Sequence, residues 1–139
     1  MSSVRQQINI ASTPRKVWSA LTTLDGLSEW LVEGGRVESR EGGRVFLEID
    51  EDGESTFEAA GTFHTLRPTR KVEIAFDRAG AGDWGGSQLQ FQVARDGAET
   101  RVSLVHRGTE GVFADDEARG AHERFWKHAL RALRGSLER

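Results

Sequence analysis

The chain predicts an α+β fold in which a curved antiparallel sheet of about seven strands packs around one long C-terminal helix, with two short helices after the first strand. Three observations carry this. Segments with an apolar residue at every second position fill the middle of the chain, separated by glycine-containing turn dipeptides. A helical stripe closes the chain: Phe125, Trp126, Ala129, Leu130, Leu133 and Leu137 repeat on one face. The connections between strand segments are mostly too short for parallel crossovers, so the strands run antiparallel.

Taken in order, residues 4–10 read as a strand, with Ile8 and Ile10 two apart. Thr13 can cap the helix that follows, Pro14 suits its first position, and Val17, Trp18 and Leu21 mark its face. Asp25-Gly26 reads as the break of that helix, and residues 27–31 as a second short one presenting Leu27, Trp30 and Leu31. After Gly34-Gly35 the pattern turns to strands. Residues 36–39 and 44–49 flank the turn signal Glu41-Gly42-Gly43, and Val45, Leu47 and Ile49 share one face. Asp52-Gly53 predicts a hairpin between residues 44–49 and 56–66. In the second of these, Phe57, Ala59, Gly61 and Phe63 alternate with polar residues; a strand glycine such as Gly61 marks a close approach or a bulge.

Pro68 ends that run, and Val72, Ile74 and Phe76 form one face of a strand over residues 71–76. Residues 79–87 are a glycine-rich loop. Leu89, Phe91 and Val93 then alternate against Gln88, Gln90 and Gln92, and Asp96-Gly97 turns the chain into residues 100–107, where Val102 and Leu104 continue the pattern. Residues 108–114 link to the helix over residues 115–137, whose first residues, Asp115, Asp116 and Glu117, suit the positive end of its dipole.

A chain of 139 residues fits one domain over residues 1–139 and can sustain a core without staples. It has no cysteine, which excludes a disulfide framework and any thiolate metal site or nucleophile. The first ten residues show no secretory pattern and no apolar run is long enough to span a bilayer, so a cytoplasmic protein is expected. With a net charge of −3 and dispersed basic residues, nucleic acid is not expected as a partner.

Several motifs have bland readings that outweigh the chemical ones. Gly80, Gly82 and Gly85 match GxGxxG, but a strand rather than a helix follows, so the segment reads as a loop at a pocket rim, with Trp84 a rim residue or an anchor into the core. Asp50, Asp52 and Glu54 invite a calcium reading; Ser55 and Gly61 stand where that loop needs Gly and Glu, so a solvated hairpin tip is expected. His122 and His128 are six apart and cannot share a helix face, so no metal pair is expected. His122 falls in line with Phe125, Trp126 and Ala129, where a neutral imidazole could exchange a hydrogen bond with a ligand. The orientation of His64 and His106 depends on strand register. No nucleophile–base–orienter set is evident, so no catalytic residue is assigned.

Four stretches resemble the SRPBCC superfamily (START/Bet v 1-like, helix-grip proteins), in the branch related to the C-terminal domain of the Hsp90 ATPase activator. They are residues 11–21 (ASTPRKVWSAL), residues 27–31 (LSEWL), residues 42–48 (GGRVFLE) and residues 122–130 (HERFWKHAL) with Leu133 and Leu137. Residues 48–54 are also similar to a stretch of an enediyne self-resistance protein of that superfamily. The resemblance implies a helix-grip fold with a cavity between sheet and C-terminal helix, and a function among lipid, hormone and steroid binders, polyketide cyclases or aromatases, and co-chaperones.

On that basis the leading expectation is the binding or carriage of a small hydrophobic molecule (a lipid, an aromatic or a polyketide-like compound) with no cofactor. The expected wall is Trp30, Phe63, Phe76, Trp84, Phe91, His122, Trp126 and Leu130. A cyclase- or aromatase-like enzyme with His122 as proton carrier and a module acting on a chaperone are the alternatives, a non-catalytic role being favoured. A homodimer is left open.

Overall fold

The computed structural model describes residues 2–51 and 53–139; Met1 and Asp52, and with Asp52 part of the expected turn dipeptide and acidic run, lie outside the described residues. Seven strands form one antiparallel sheet in the order β1-β7-β6-β5-β4-β3-β2. They are β1 (Ser2–Ile10), β2 (Val32–Val37), β3 (Arg44–Asp50), β4 (Thr56–Arg67), β5 (Lys71–Phe76), β6 (Gln88–Asp96) and β7 (Glu99–Gly108). Three α-helices lie among the described residues: α1 (Pro14–Thr22), α2 (Leu24–Leu27) and α3 (Asp116–Leu137). The expected fold class holds throughout, because the period-2 strands and the helical stripe of α3 need each other's apolar face.

Period-2 patterning sets the inner face. Val45, Leu47 and Ile49 of β3, Val72, Ile74 and Phe76 of β5, Leu89, Phe91 and Val93 of β6, and Val102 and Leu104 of β7 are all buried. From α3 the buried set is His122, Trp126, Ala129, Leu130 and Leu133, the i, i+4, i+7, i+8 and i+11 positions of one face. Asp115 caps α3 by accepting from Ala118 N–H at 2.8 Å, with Asp116 and Glu117 in the first turn. The Gln6 side-chain amide donates to the Glu123 carbonyl at 2.7 Å and ties β1 to α3.

Thr13 caps α1 as expected, accepting from Lys16 N–H at 3.3 Å. The second helix begins earlier than the sequence suggests. Thr23 accepts from Gly26 N–H at 3.0 Å and starts α2, so Asp25-Gly26 lies inside it, and β2 begins at Val32 rather than Arg36. Gly26 is there for closeness rather than termination: a Cβ would sit 2.3 Å from the Ser19 carbonyl oxygen. Gly61 has the same role in β4, where a Cβ would lie 2.7 Å from the Ala75 oxygen. The bulge of β4 falls two residues later, between Phe63 and Thr65, leaving His64 between them on the exposed side.

Candidate functional site

Two adjoining hollows open beside α3, near the end of β3 and the start of β4. The smaller, about 290 Å³, is lined by Phe57 of β4, Trp84, Val112, and Ala121, His122 and Phe125 of α3, with Asp83 and Glu51 at its rim. The wider, about 760 Å³, runs between the α2–β2 connection and α3, past Trp30, Glu33, Asp50, Arg124, His128 and Ala129. Glu51, Ala121 and Phe125 border both, so Phe125 stands between the two spaces.

Local structure places these side chains. Residues Gly82–Trp84 and Gly111–Phe113 each make one turn of 3-10 helix and abut each other. Gly111 has φ +59°, and a Cβ there would come 2.1 Å from the Asp83 oxygen, so the two turns touch through bare backbone. The first turn drives Trp84 inward to 2% exposure, against Phe57 (5.4 Å between ring centroids), Phe76 (5.3 Å) and Trp126 (5.5 Å). The GxGxxG segment thus holds an aromatic anchor that is also a wall of the smaller hollow.

Of the expected wall residues, Trp30, Trp84 and His122 line these hollows. Trp30 also donates its indole N–H to the Ala20 carbonyl at 2.9 Å and meets Phe91 edge-on. Phe63, Phe76, Phe91, Trp126 and Leu130 sit behind, in the packed interior, and border neither space. Trp126 is wholly buried, its ring against Trp84, Phe91 and Phe125. Phe57, Val112 and Phe125 are wall residues the sequence reading did not single out. For Phe57 and Phe125 the signal was present: Phe57 shares the alternation of Ala59 at the start of β4, Phe125 belongs to the apolar stripe of α3, and both are half-buried.

His106 resolves inward. It continues the parity of Val102 and Leu104, pairs with Leu89 on β6 and Val4 on β1, and is fully buried. Its Nδ1 lies 2.7 Å from His122 Nε2 and its Nε2 lies 2.8 Å from Ser87 Oγ. Ser87 Oγ donates to the Trp84 carbonyl at 2.6 Å, and the Trp126 indole N–H reaches both histidines, 3.1 Å from His106 Nδ1 and 3.0 Å from His122 Nε2. Burial pushes the His122 imidazole down to about 4. His106 is held well below the ordinary histidine value, first by burial and then by the neighbouring His122. Both rings are therefore neutral at pH 7. No group of three or more His, Asp or Glu that could hold a metal ion occurs among the described residues.

A single antiparallel sheet gripping a C-terminal helix, with free space along the helix, defines a helix-grip protein. The family model described as Activator of Hsp90 ATPase homolog 1-like protein matches residues 11–138, and the chain belongs to that family. Solved structures agree in fold. The Aha1 dimer from Colwellia psychrerythraea, in solution, is 22% identical with a TM-score of 0.80, over 99% of this chain and 97% of that one. Protein MLL2253 from Mesorhizobium loti is 18% identical with a TM-score of 0.80, over 98% and 96%. CalU16 from Micromonospora echinospora is 20% identical with a TM-score of 0.76, over 97% of this chain and 75% of that one. At these identities the likeness is one of fold. No curated protein matches the chain by sequence. No helix among the described residues is long and apolar enough to cross a membrane.

Proposed function

We propose that the protein binds a small, predominantly apolar molecule in the smaller hollow, against Phe57, Trp84, Val112 and His122, with residues 1–139 acting as one cytoplasmic unit that needs no cofactor. One observation carries the reading: an open space of about 290 Å³ with aromatic and aliphatic walls, one neutral imidazole, His122, and the carboxylates of Glu51 and Asp83 at its edge. Apolar walls with a few placed polar groups are what small-molecule sites share. A ligand body removing roughly 150–250 Å² of apolar surface, as a large aromatic side chain does, gains about 4–6 kcal/mol before ordering costs. That corresponds to dissociation constants from about millimolar to tens of micromolar. Tighter binding requires a ligand that also reaches past Phe125 into the wider groove.

Binding is favoured over catalysis by the same imidazole. A general base works best with a pKa near the operating pH. Burial lowers His122 to about 4, which leaves a weak base and a serviceable hydrogen-bond acceptor. The cyclase alternative therefore ranks below the binder. The family description supports a second reading, contact with an Hsp90-type chaperone. Stimulation of a purified Hsp90 ATPase, with sedimentation analysis of the chain's own assembly state, tests that reading and a homodimer together.

The ligand reading is tested by ¹H–¹⁵N NMR titration with naphthalene-type aromatics, fatty acids and flat polyketides, on the protein and on Ala121→Trp. Ala121 is exposed and borders both hollows, so the indole would occupy their mouth without entering the core. The expected result is shifts at Trp84, Val112 and Phe125 that Ala121→Trp abolishes. A panel that moves none of these signals, or moves them equally in the variant, defeats the reading.

A further inference from the structure

We propose that the hollow selects its occupant by a hydrogen-bond donor: an apolar, aromatic-sized molecule carrying a hydroxyl or N–H group that His122 Nδ1 accepts. This rests on the ligand reading above and adds the chemistry the site recognises.

The assignment comes from placing the protons along the buried chain, since tautomers follow from the hydrogen-bond network. His106 Nδ1, His122 Nε2 and Trp126 Nε1 form a triangle with sides of 2.7, 3.0 and 3.1 Å. The indole always donates. The triangle alone permits two arrangements, with the proton of the 2.7 Å contact on either histidine.

The outer end of the chain decides between them. Ser87 Oγ lies 2.6 Å from the Trp84 carbonyl oxygen, which has no proton to give, so the hydroxyl donates there. Ser87 Oγ must then accept from His106 Nε2–H at 2.8 Å. With its proton on Nε2, His106 has a bare Nδ1. Two bare nitrogens 2.7 Å apart would repel, so His122 carries its proton on Nε2 and donates inward. Every proton of the chain thus points toward the Trp84 carbonyl, and the lone pair left over is on His122 Nδ1.

That lone pair faces the hollow. His122 lines the space, and its Nδ1 has no hydrogen-bond partner among the described residues. Yet no fully buried side-chain nitrogen or oxygen among them lacks a partner. Nδ1 is therefore reached from outside the packed interior, on the side of the hollow that His122 lines. The carboxylates at the rim, Asp83 and Glu51, are acceptors and cannot satisfy it. By the same reasoning the Trp84 indole N–H is not sealed in, so a hydroxyl could accept there while donating to His122.

The test compares 2-naphthol with 2-methoxynaphthalene, which accepts but cannot donate, and 2-methylnaphthalene, which does neither. Leaving a site's acceptor unpaired is costly, so 2-naphthol is expected to bind at least about tenfold tighter than either analogue. In His122→Phe that advantage should disappear; the fold tolerates the change because Trp126 N–H still satisfies His106 Nδ1. Long-range ¹H–¹⁵N correlation of the ligand-free protein should show His122 protonated at Nε2 and pyridine-like at Nδ1. Equal binding of 2-naphthol and 2-methoxynaphthalene overturns the donor rule while leaving the ligand site standing. A proton on His122 Nδ1 overturns it without reference to any ligand. If none of the three binds, the site and the rule fall together.

Discussion

Lowering the pH from about 8 to about 5 should cost the protein at least about 2 kcal/mol of stability, through two histidines that the fold keeps uncharged. The sign follows from where protons bind. An unfolded chain titrates His122 near the ordinary 6.5, while burial lowers the folded value to about 4. Between those two values the unfolded state holds the proton and the folded state does not, so stability falls as pH falls through 6.5 and levels off below 4. The full shift is worth about 3 kcal/mol at 1.36 kcal/mol per unit, of which about 2 kcal/mol has been lost by pH 5. His106, displaced in the same direction by its own burial, adds to the loss.

The window is free of the shifted carboxylates. Asp77, held low by the hydrogen bonds of Arg44, and Glu73, which burial raises but Thr65 and Lys71 together bring below the usual value, lose their contributions only at more acidic pH. Urea unfolding at several pH values reads the effect directly. At about 1–3 kcal/mol per molar urea, the midpoint should fall by roughly 1–2 M between pH 8 and pH 5. His122→Phe should remove the His122 share of that slope and leave the part of the His106 share that burial sets. A flat midpoint across this range, or one that rises on acidification, would refute the claim that the pair is buried and neutral.

Other perturbations have equally definite outcomes. Trp126→Ala, at a wholly buried position between α3 and the sheet, should cost about 3–5 kcal/mol in urea unfolding, and a loss under 1 kcal/mol would mean the interior there is not packed as described. Gly26→Ala should destabilise by more than the roughly 1 kcal/mol that helix propensity would return, because its methyl meets the Ser19 carbonyl; a neutral or raised Tm contradicts the close approach. Gly111→Ala combines a positive φ with a collision against Asp83, so it should both lower Tm and weaken binding of 2-naphthol, whereas unchanged affinity would show that the two 3-10 turns do not frame the hollow.

Much of the sheet was legible because period-2 patterning and turn dipeptides agree: β5 starts and ends as expected, β3 and β6 nearly so, and the helical stripe fixes the buried face of α3. The α1–α2 region was misread for a physical reason. Asp25-Gly26 has the composition of a stop, but Gly26 is present to let α2 lie on the Ser19 carbonyl, and a single sequence cannot tell a glycine needed for φ from one needed for space. The aromatic residues were rightly drawn to the interior. Which of them edge an opening depends on bulges and registers set by pairs distant in sequence, such as Phe63 and Ile74. His106 could have been placed by parity with Val102 and Leu104, but its link to Ser87 and His122 joins three elements and has no local signature.

The most direct measurement is a crystal structure of the protein grown with 2-naphthol. The bicyclic ring is expected in the hollow lined by Phe57, Trp84, Val112 and Ala121, its hydroxyl within hydrogen-bond distance of His122 Nδ1. A ring bound elsewhere on the surface, with side chains collapsed into the space beside His122, would contradict it.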